Sequence, residues 1–190
     1  MLGLKKSGLV LSVVFTLAGC NYQNVEHSHS HGHDHGHIHD YDDSYSHSHS
    51  HSHSLHHGVL VPLFSAQQKV GYAELKLHDD KGDLELWLTV DKAGANPLDM
   101  ALNSEVRVSF PKLSTQQVQL RVRNTEKNED EDGKGNLRGN NTNYFIFPGD
   151  TGVDAAFLTG KEFASDAVIS FEKDGVQYTT DVFVLRPHTH

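Results

Sequence analysis

The sequence predicts an all-β domain of antiparallel strands, and three observations support that prediction. Over most of the second half of this 190-residue chain, apolar residues recur at every second position. That spacing is the side-chain period of a half-buried strand. Polar turn signals separate these stretches at short intervals. Helical periodicity is nearly absent, and only residues 153–159 have the pattern of a short helical turn.

Six stretches carry the alternation, and their apolar positions should face one core. They are, in chain order, Ala73, Leu75 and Leu77; Leu84, Leu86, Leu88 and Val90; Val106, Val108 and Phe110; Val118, Leu120 and Val122; Ala167, Ile169 and Phe171; and Val176, Tyr178, Val182 and Val184. Residues 58–65 and 143–147 indicate two further strands. Charged residues such as Glu74, Lys76 and Glu85 alternate with the apolar ones, so we expect them on the opposite face.

Two turns should join neighbouring strands directly. The sequence Lys173-Asp174-Gly175 is a tight hairpin signal. Residues 79–83 form a second polar turn, in which Gly82 is expected to adopt a left-handed conformation.

Residues 58–190 therefore form one domain of seven or eight short strands. An antiparallel β-sandwich, immunoglobulin-like in the loose sense, is the predicted architecture, and an open barrel is the alternative. About 130 residues are enough to build one modest core.

The first twenty residues resemble a bacterial lipoprotein signal. Lys5 and Lys6 precede a short apolar run, and Leu17-Ala18-Gly19-Cys20 matches a lipobox. The resemblance implies that residues 1–19 are a signal peptide and that Cys20 is lipidated after cleavage. It also implies a periplasm-facing protein anchored to a membrane of the bacterial cell envelope, and Asn21 favours the outer membrane. Cys20 is the only cysteine in the chain, which excludes disulfides and thiolate-rich metal sites.

Residues 20–57 are dominated by histidine. Thirteen of the sixteen histidines of the chain lie here, most of them at every second position. They are His27, His29, His31, His33, His35, His37, His39, His47, His49, His51, His53, His56 and His57. Large aliphatic residues are almost missing, so this segment is predicted to be disordered without a ligand.

This histidine tract (residues 27–57) predicts binding of divalent transition metals. Neutral imidazole is a preferred ligand of Zn²⁺ and also suits Ni²⁺ and Cu²⁺. Serine and glycine spacers let a flexible chain wrap around an ion and present several imidazoles to it. The simpler interpretation is a hydrophilic spacer, or a tail that gains charge near pH 6.5.

The tract is similar to the His-rich loops of bacterial zinc-uptake binding proteins and of cation-diffusion transporters. Together with Cys20, the layout resembles that of His-rich metal-binding lipoproteins. This resemblance covers residues 20–57 only and implies an accessory role in metal handling, with a metal transporter as a partner.

A smaller group of histidines should lie within the fold. His56 and His57 precede the first strand, and His188 and His190 follow the last one. If the first and last strands pair antiparallel, His57 and His188 come within reach of one metal ion. The alternative is that both are frayed ends. His78, at the end of a predicted strand, is interpreted as a lone exposed histidine.

Residues 126–136 are an acidic loop that partly matches a calcium-binding pattern. Asn128, Asp130 and Asp132 followed by Gly133 match the first half of an EF-hand loop, but Gly139 stands where the bidentate glutamate should be. A solvated acidic hairpin loop is the preferred interpretation.

Composition and motifs narrow the function. The formal charge of −9 argues against nucleic acid as a partner, because a polyanion needs a basic footprint. No catalytic motif is present, so an enzyme is not expected. The leading hypothesis is a lipoprotein that buffers or delivers Zn²⁺, or Ni²⁺ or Cu²⁺. The alternative is an envelope interaction module whose β-domain binds a protein or polymer, with the tract as a spacer.

Overall fold

The structure is a computed structural model that describes residues 54–113, 117–149 and 153–188. These ranges contain twelve strands and one short 3₁₀ turn at Ala156–Leu158. The strands are β1 (Val59–Ser65), β2 (Gln68–Leu77), β3 (Leu84–Thr89), β4 (Met100–Ala101), β5 (Val106–Ser109), β6 (Gln117–Leu120), β7 (Leu137–Arg138), β8 (Asn141–Thr142), β9 (Tyr144–Phe147), β10 (Ser165–Lys173), β11 (Val176–Thr180) and β12 (Phe183–Leu185).

Every strand pair is antiparallel, which confirms the predicted all-β class. One large sheet runs in the order β6-β5-β10-β11-β1-β2-β3-β9, and β12 pairs with the beginning of β10. A bridge between Arg121 and Ile146 joins the two ends of this order. The sheet therefore curls into a near-barrel, and its opposed walls enclose one core. Strands β4, β8 and β7 form a small separate sheet.

The turns adopt the conformations that their sequences favour. Asp174 and Gly175 have φ of 53° and 76°, as a two-residue hairpin turn requires. Gly82 has φ of 74°, which confirms the left-handed conformation expected in the β2–β3 turn. A Cβ on Gly82 would lie only 2.3 Å from the Ala155 carbonyl oxygen, so glycine is needed there for space as well.

The core consists of the alternating apolar residues of β2, β3, β5, β6 and β10, as predicted. Its fully buried side chains include Leu75, Leu86, Val108, Leu120 and Ile169. Residues from β1 and β9 and from the 3₁₀ turn complete the same cluster. Burying a large aliphatic side chain stabilises the fold by about 1.5–3 kcal/mol.

Four valines of the predicted core are instead exposed: Val90, Val176, Val182 and Val184. Val90 lies beyond the end of β3. Strand β11 ends at Thr180, and the break before β12 shifts the alternation, so that Leu185 is buried and Val184 is exposed. Val182 lies within the break itself. Periodicity across a strand break does not fix the phase of the second strand.

The outer face of β2 and β3 is covered, which periodicity alone did not predict. Glu74, Lys76 and Glu85 point away from the core as expected, yet all three are buried. Trp87 forms a second apolar cluster on this face with Tyr144 and Ile146. Residues 121–143 run over the same face, and this cover creates a polar interior outside the main core.

Several sequence predictions lie outside the described residues. They concern the signal sequence, Cys20, the tract histidines His27–His53 and the terminal His190. Among the residues that are described, no helix has the length and apolar character needed to cross a membrane.

Candidate metal centre

One imidazole and two carboxylates meet on the covered face of β2 and β3. Lys76 and Glu85 are direct partners in the β2–β3 register. His78 follows β2 immediately and is held by the turn, where its N–H donates to the Asp83 carbonyl oxygen at 2.9 Å. Glu131 reaches the same place from the loop between β6 and β7. We call His78, Glu85 and Glu131 the inner site.

The distances within the inner site match those of metal ligands. His78 Nε2 lies 3.1 Å from Glu85 Oε2 and 3.5 Å from Glu131 Oε2. One ligand atom from each of the three residues lies within 4.8 Å of the others. Zinc ligands at 2.0–2.1 Å in a tetrahedron are about 3.4 Å apart. The two distances from His78 Nε2 are close to that spacing, and all three donor atoms lie near enough to share one ion.

Hydrogen bonding sets the charge of the two ligands on the β2–β3 hairpin. The hydrogen bond to Glu85 raises the pKa of His78 above its ordinary value of 6.5, although burial acts in the opposite direction. Burial would raise the pKa of Glu85, but hydrogen bonds with His78 and Tyr144 outweigh it and hold that pKa below its usual 4.5. Glu85 is thus an anion at neutral pH even though its side chain is only 4% exposed.

Tyr144 and Arg123 orient the Glu85 carboxylate. The Tyr144 hydroxyl donates to Glu85 Oε1, and Arg123 Nη2 donates to the Tyr144 oxygen at 3.3 Å. Burial and the adjacent Glu85 raise the pKa of Tyr144 well above 10, so this phenol remains a hydrogen-bond donor. Because Oε1 is engaged by Tyr144, Oε2 is the oxygen presented to His78. Such supporting hydrogen bonds are typical of the ligands of metal sites.

A buried lysine adds to the positive charge of the cluster. Lys76 Nζ forms an ion pair with Glu131 Oε1, and the lysine side chain is only 3% exposed. Burying a charge is costly unless it is paired, so the buried Lys76 depends on the more exposed Glu131 carboxylate. A bound divalent cation would share the Glu131 carboxylate with this ammonium group.

His188 lies against His78, and His57 lines the same cleft as His188. The rings of His78 and His188 meet edge to face with centroids 5.4 Å apart, and His188 N–H donates to the Leu77 carbonyl oxygen at 3.1 Å. His56, His57 and His188 line one cleft. The expected antiparallel pairing holds for β1 and β11, which is the first part of the predicted last strand, but β12 pairs with β10 and not with β1. The segment that follows β12 brings His188 beside the end of β2 instead.

The last histidines of the tract are anchored to the domain. His56 Nδ1 lies 3.0 Å from Glu74 Oε2, and its ring stacks on Trp87 with centroids 3.9 Å apart. His56 N–H and Gly58 N–H both donate to Glu74 Oε1, at 2.8 and 3.0 Å. Burial opposes ionisation of Glu74, but these hydrogen bonds hold its pKa below the ordinary value.

Sequence reasoning missed the inner site. His78 was interpreted as a lone exposed histidine, but it is largely buried and bonded to Glu85. Ionisable residues at 74, 76, 78 and 85 on one face of a predicted hairpin were the available signal. No such signal pointed to Glu131, because this residue is distant in sequence and its position depends on how the loop folds back over the sheet.

The acidic loop is a largely exposed hairpin, closed by an antiparallel bridge between Glu129 and Gly135, but three of its polar side chains are buried: Asn128, Asp130 and Asn136. Asn128 is fully buried, and its Nδ2 donates to Thr142 Oγ1 and to the Tyr144 carbonyl oxygen, both at 2.9 Å. The two carboxylate oxygens of Asp130 accept from Lys134 N–H and Asn136 Nδ2. These side chains hold the loop in shape, so they are not arranged as calcium ligands.

No family model, curated protein or solved structure matches this chain.

Proposed function

We propose that this protein binds a divalent transition metal, with Zn²⁺ first and Ni²⁺ or Cu²⁺ as alternatives. In this proposal the histidine tract collects the ion and the inner site holds it in a defined geometry. The observation that carries the proposal is the inner site itself, where one imidazole nitrogen and two carboxylate oxygens all lie within 4.8 Å of one another.

The donor set favours a transition metal over Ca²⁺ or Mg²⁺. The alkaline-earth ions prefer sites made entirely of oxygen, whereas imidazole suits Zn²⁺, Ni²⁺ and Cu²⁺. Three protein ligands leave one position of a tetrahedron for water or for a further side chain. Catalysis is not part of the proposal.

The charged contacts within the inner site support reversible binding of a metal ion. In the absence of an ion, Lys76 pairs with Glu131, and His78 is hydrogen-bonded to Glu85. A bound cation breaks the His78–Glu85 hydrogen bond and shares the Glu131 carboxylate with Lys76, and the original contacts recover when it leaves. Such competition weakens binding, as a buffering or delivery role requires.

The proposed location and role of the protein in the cell are based on the sequence. Lipidation at Cys20 would attach the protein to the bacterial envelope, facing the periplasm, and Asn21 after the cysteine favours the outer membrane. Tract histidines would bind several ions in exchangeable sites, since flexible segments load without rearranging a fold. The partner would be a metal transporter, with this protein as a buffer or an accessory to transport.

Zinc titration of the full chain tests the proposal. Replacing the eleven histidines from His27 to His53 by glutamine gives a tract-silent chain with the folded residues unchanged. Native mass spectrometry of this chain in detergent should still show bound Zn²⁺. His78→Gln in the same background should weaken binding at the inner site at least about tenfold, because ligand-shell changes cost 10–100-fold.

The control for this titration is Glu172→Gln, which alters a carboxylate bonded to Gln177 in the β10–β11 hairpin. Zinc binding should be unchanged in the control. A tract-silent chain that binds no Zn²⁺ would contradict a metal site in the folded domain.

An interaction module is the second candidate, and exposed valines favour it. Val182 and Val184 are 60% and 47% exposed in or beside β12, which pairs only with β10 among the described strands. Deleting residues 26–53, which leaves the His56 contacts with Glu74 and Trp87 in place, separates the two functions. If zinc-dependent behaviour is lost and partner binding is kept, the tract belongs to metal handling.

A further inference from the structure

The segment that follows β12 completes the edge of β2 beside the inner site. Strand β1 begins at Val59, which pairs with Leu75, so β1 does not reach the last two residues of β2. Beyond that point the segment after β12 reaches β2, where His188 N–H donates to the Leu77 carbonyl oxygen at 3.1 Å. The backbone of His188 is thereby held beside the residue that precedes His78.

The imidazole rings of His188 and His78 meet edge to face. Their centroids lie 5.4 Å apart, and the ring planes are inclined by 73°. Aromatic pairs prefer this arrangement at centroid distances of about 4.5–7 Å. The backbone of His78 is held as well, because its N–H donates to the Asp83 carbonyl oxygen and its own carbonyl oxygen accepts from Gly82 N–H at 3.0 Å. Rotation of the His78 ring toward His188 is therefore blocked.

The orientation of the His78 ring decides whether it can act as a ligand of the inner site. Its Nε2 is the atom that lies 3.1 Å from Glu85 Oε2 and 3.5 Å from Glu131 Oε2. Rotation about the Cβ–Cγ bond would move Nε2 away from both carboxylates. A ring that already has the correct orientation loses less freedom when an ion binds, so the affinity is higher.

His188 itself does not belong to the ligand set of the inner site. Among the described residues, the group of ligand atoms that all lie within 4.8 Å of one another comes from His78, Glu85 and Glu131. We infer that His188 is a positioning residue, whose ring holds the His78 imidazole with Nε2 facing the two carboxylates. The inference rests on the proposed function and deepens it, because it assigns the segment after β12 a role in metal affinity.

Two substitutions at position 188 separate positioning from direct ligation. His188→Phe keeps a flat ring beside His78 but has no ligand nitrogen, whereas His188→Ala removes the ring. Both variants keep the backbone N–H that donates to Leu77. They are made in the full tract-silent chain in detergent, and chelator competition gives the Zn²⁺ affinity of the inner site.

The affinity should fall about three- to tenfold in His188→Ala, which is the size expected for the loss of one edge-to-face contact. In His188→Phe it should change by less than about twofold, because the contact is kept. An equal loss in both variants would overturn the inference, since it would show that a nitrogen of His188 is needed.

A measurement without metal keeps the test independent of the proposed function. Replacing eleven of the sixteen histidines leaves five in the tract-silent chain, so its imidazole ¹⁵N NMR spectrum can be assigned. The Nε2 resonance of His78 should show one hydrogen-bonded orientation in the metal-free parent chain and in His188→Phe. In His188→Ala it should broaden or move toward the value of a solvated imidazole, because the ring adopts further orientations.

Failure of the inference and failure of the proposed function give different results. Unchanged affinity and an unchanged His78 resonance in His188→Ala would overturn the inference and leave the metal site intact. A parent chain that binds no Zn²⁺, with a His78 resonance that still responds to His188→Ala only, would contradict the metal site and support the positioning of His78. Glu172→Gln should alter neither measurement, and thermal unfolding of each variant checks that the fold is kept.

Discussion

The imidazole of His56 lies flat on the indole of Trp87, with ring centroids 3.9 Å apart and an angle of 4° between the planes. The contact joins the end of the histidine tract to the covered face of β2 and β3. Because Trp87 is the only tryptophan, its fluorescence reports directly on this anchor.

Removing the His56 ring should change the emission of Trp87. His56→Ala uncovers one face of the indole, so we expect the emission maximum to shift to longer wavelength. His57→Ala is the matched control, because the neighbouring side chain does not stack on Trp87 and should leave the maximum in place. Steady-state fluorescence of the metal-free chain measures both, and an identical shift in the two variants would contradict the stacked arrangement.

This anchor also shows where prediction from sequence ends. Alternation correctly placed Glu74 and Trp87 on the face opposite Leu75, because strand period fixes the face of a residue. It did not show that this face is covered. The cover depends on contacts such as that of Asn128 with Tyr144, which join residues sixteen positions apart.

The features of the fold that depend on residues close together in the sequence could be predicted. Paired strands with tight turns, such as β10 and β11 around Asp174-Gly175, were predicted from the sequence. The two-residue strands β4, β7 and β8 have no periodicity to detect. The inner site was not predicted because Glu131 meets His78 across 53 positions, through a loop whose path the sequence pattern does not specify.

Glu74 should stabilise the fold in a pH-dependent manner. Glu74→Gln removes a buried anion that accepts two backbone hydrogen bonds and one from His56, so we expect a loss of about 2–3 kcal/mol in the free energy of unfolding at pH 7. The folded-state pKa of Glu74 lies below its ordinary 4.5. Its contribution is therefore present above pH 4.5 and declines as the pH falls through the folded-state value.

Urea unfolding of both chains between pH 3 and 7 measures this effect. The difference between parent and variant should be constant from about pH 5 to 7 and should shrink at lower pH. Glu172→Gln, which alters an exposed carboxylate, should show a difference within about 0.5 kcal/mol throughout. A Glu74 difference that grows on acidification would contradict the assignment.

Lys76 should compete with metal for Glu131. Lys76→Met removes a buried positive charge next to the inner site and should strengthen Zn²⁺ binding at least about tenfold, since like charges at short range repel strongly in a partly buried site. The metal-free variant should change in stability by no more than about 1 kcal/mol, because Glu131 is one-third exposed and keeps its contact with water when the buried ammonium is removed.

Lys173→Met is the control for this experiment, since Lys173 pairs with Asp174 in a distant hairpin turn. Chelator competition at equilibrium gives the zinc affinities, and thermal unfolding gives the stabilities. Zinc binding that weakens in Lys76→Met would show that this lysine supports the site.

Cys20 should be the lipidated residue. Cys20→Ala should abolish incorporation of labelled palmitate and should leave the precursor unprocessed, because the thiol is the acceptor in the lipobox pattern. Gly19→Ala is the matched control, since a small residue before the cysteine is retained. Unchanged palmitate labelling in Cys20→Ala would disprove the lipoprotein assignment.

The histidine tract should bind zinc as a distributed buffer. Its thirteen histidines allow about three to four Zn²⁺ at three or four ligands each. Any single His→Ala change between His27 and His53 should alter the capacity little, because a neighbour two residues away can substitute. Replacing the seven histidines from His27 to His39 together should remove roughly half of the tract's capacity.

Protons compete for the same imidazoles, so binding to the tract should weaken as the pH falls through about 6.5. Isothermal titration of the full chain at pH 7.5 and 5.5, with single and block variants, measures capacity and affinity together. The zinc bound by the tract-silent chain measures the contribution of the folded residues. This amount is subtracted from the zinc bound by the full chain. One substitution within His27–His53 that abolished a single tight site would contradict this prediction. The tract would then be a defined receptor site and not a buffer of several sites with similar, moderate affinities.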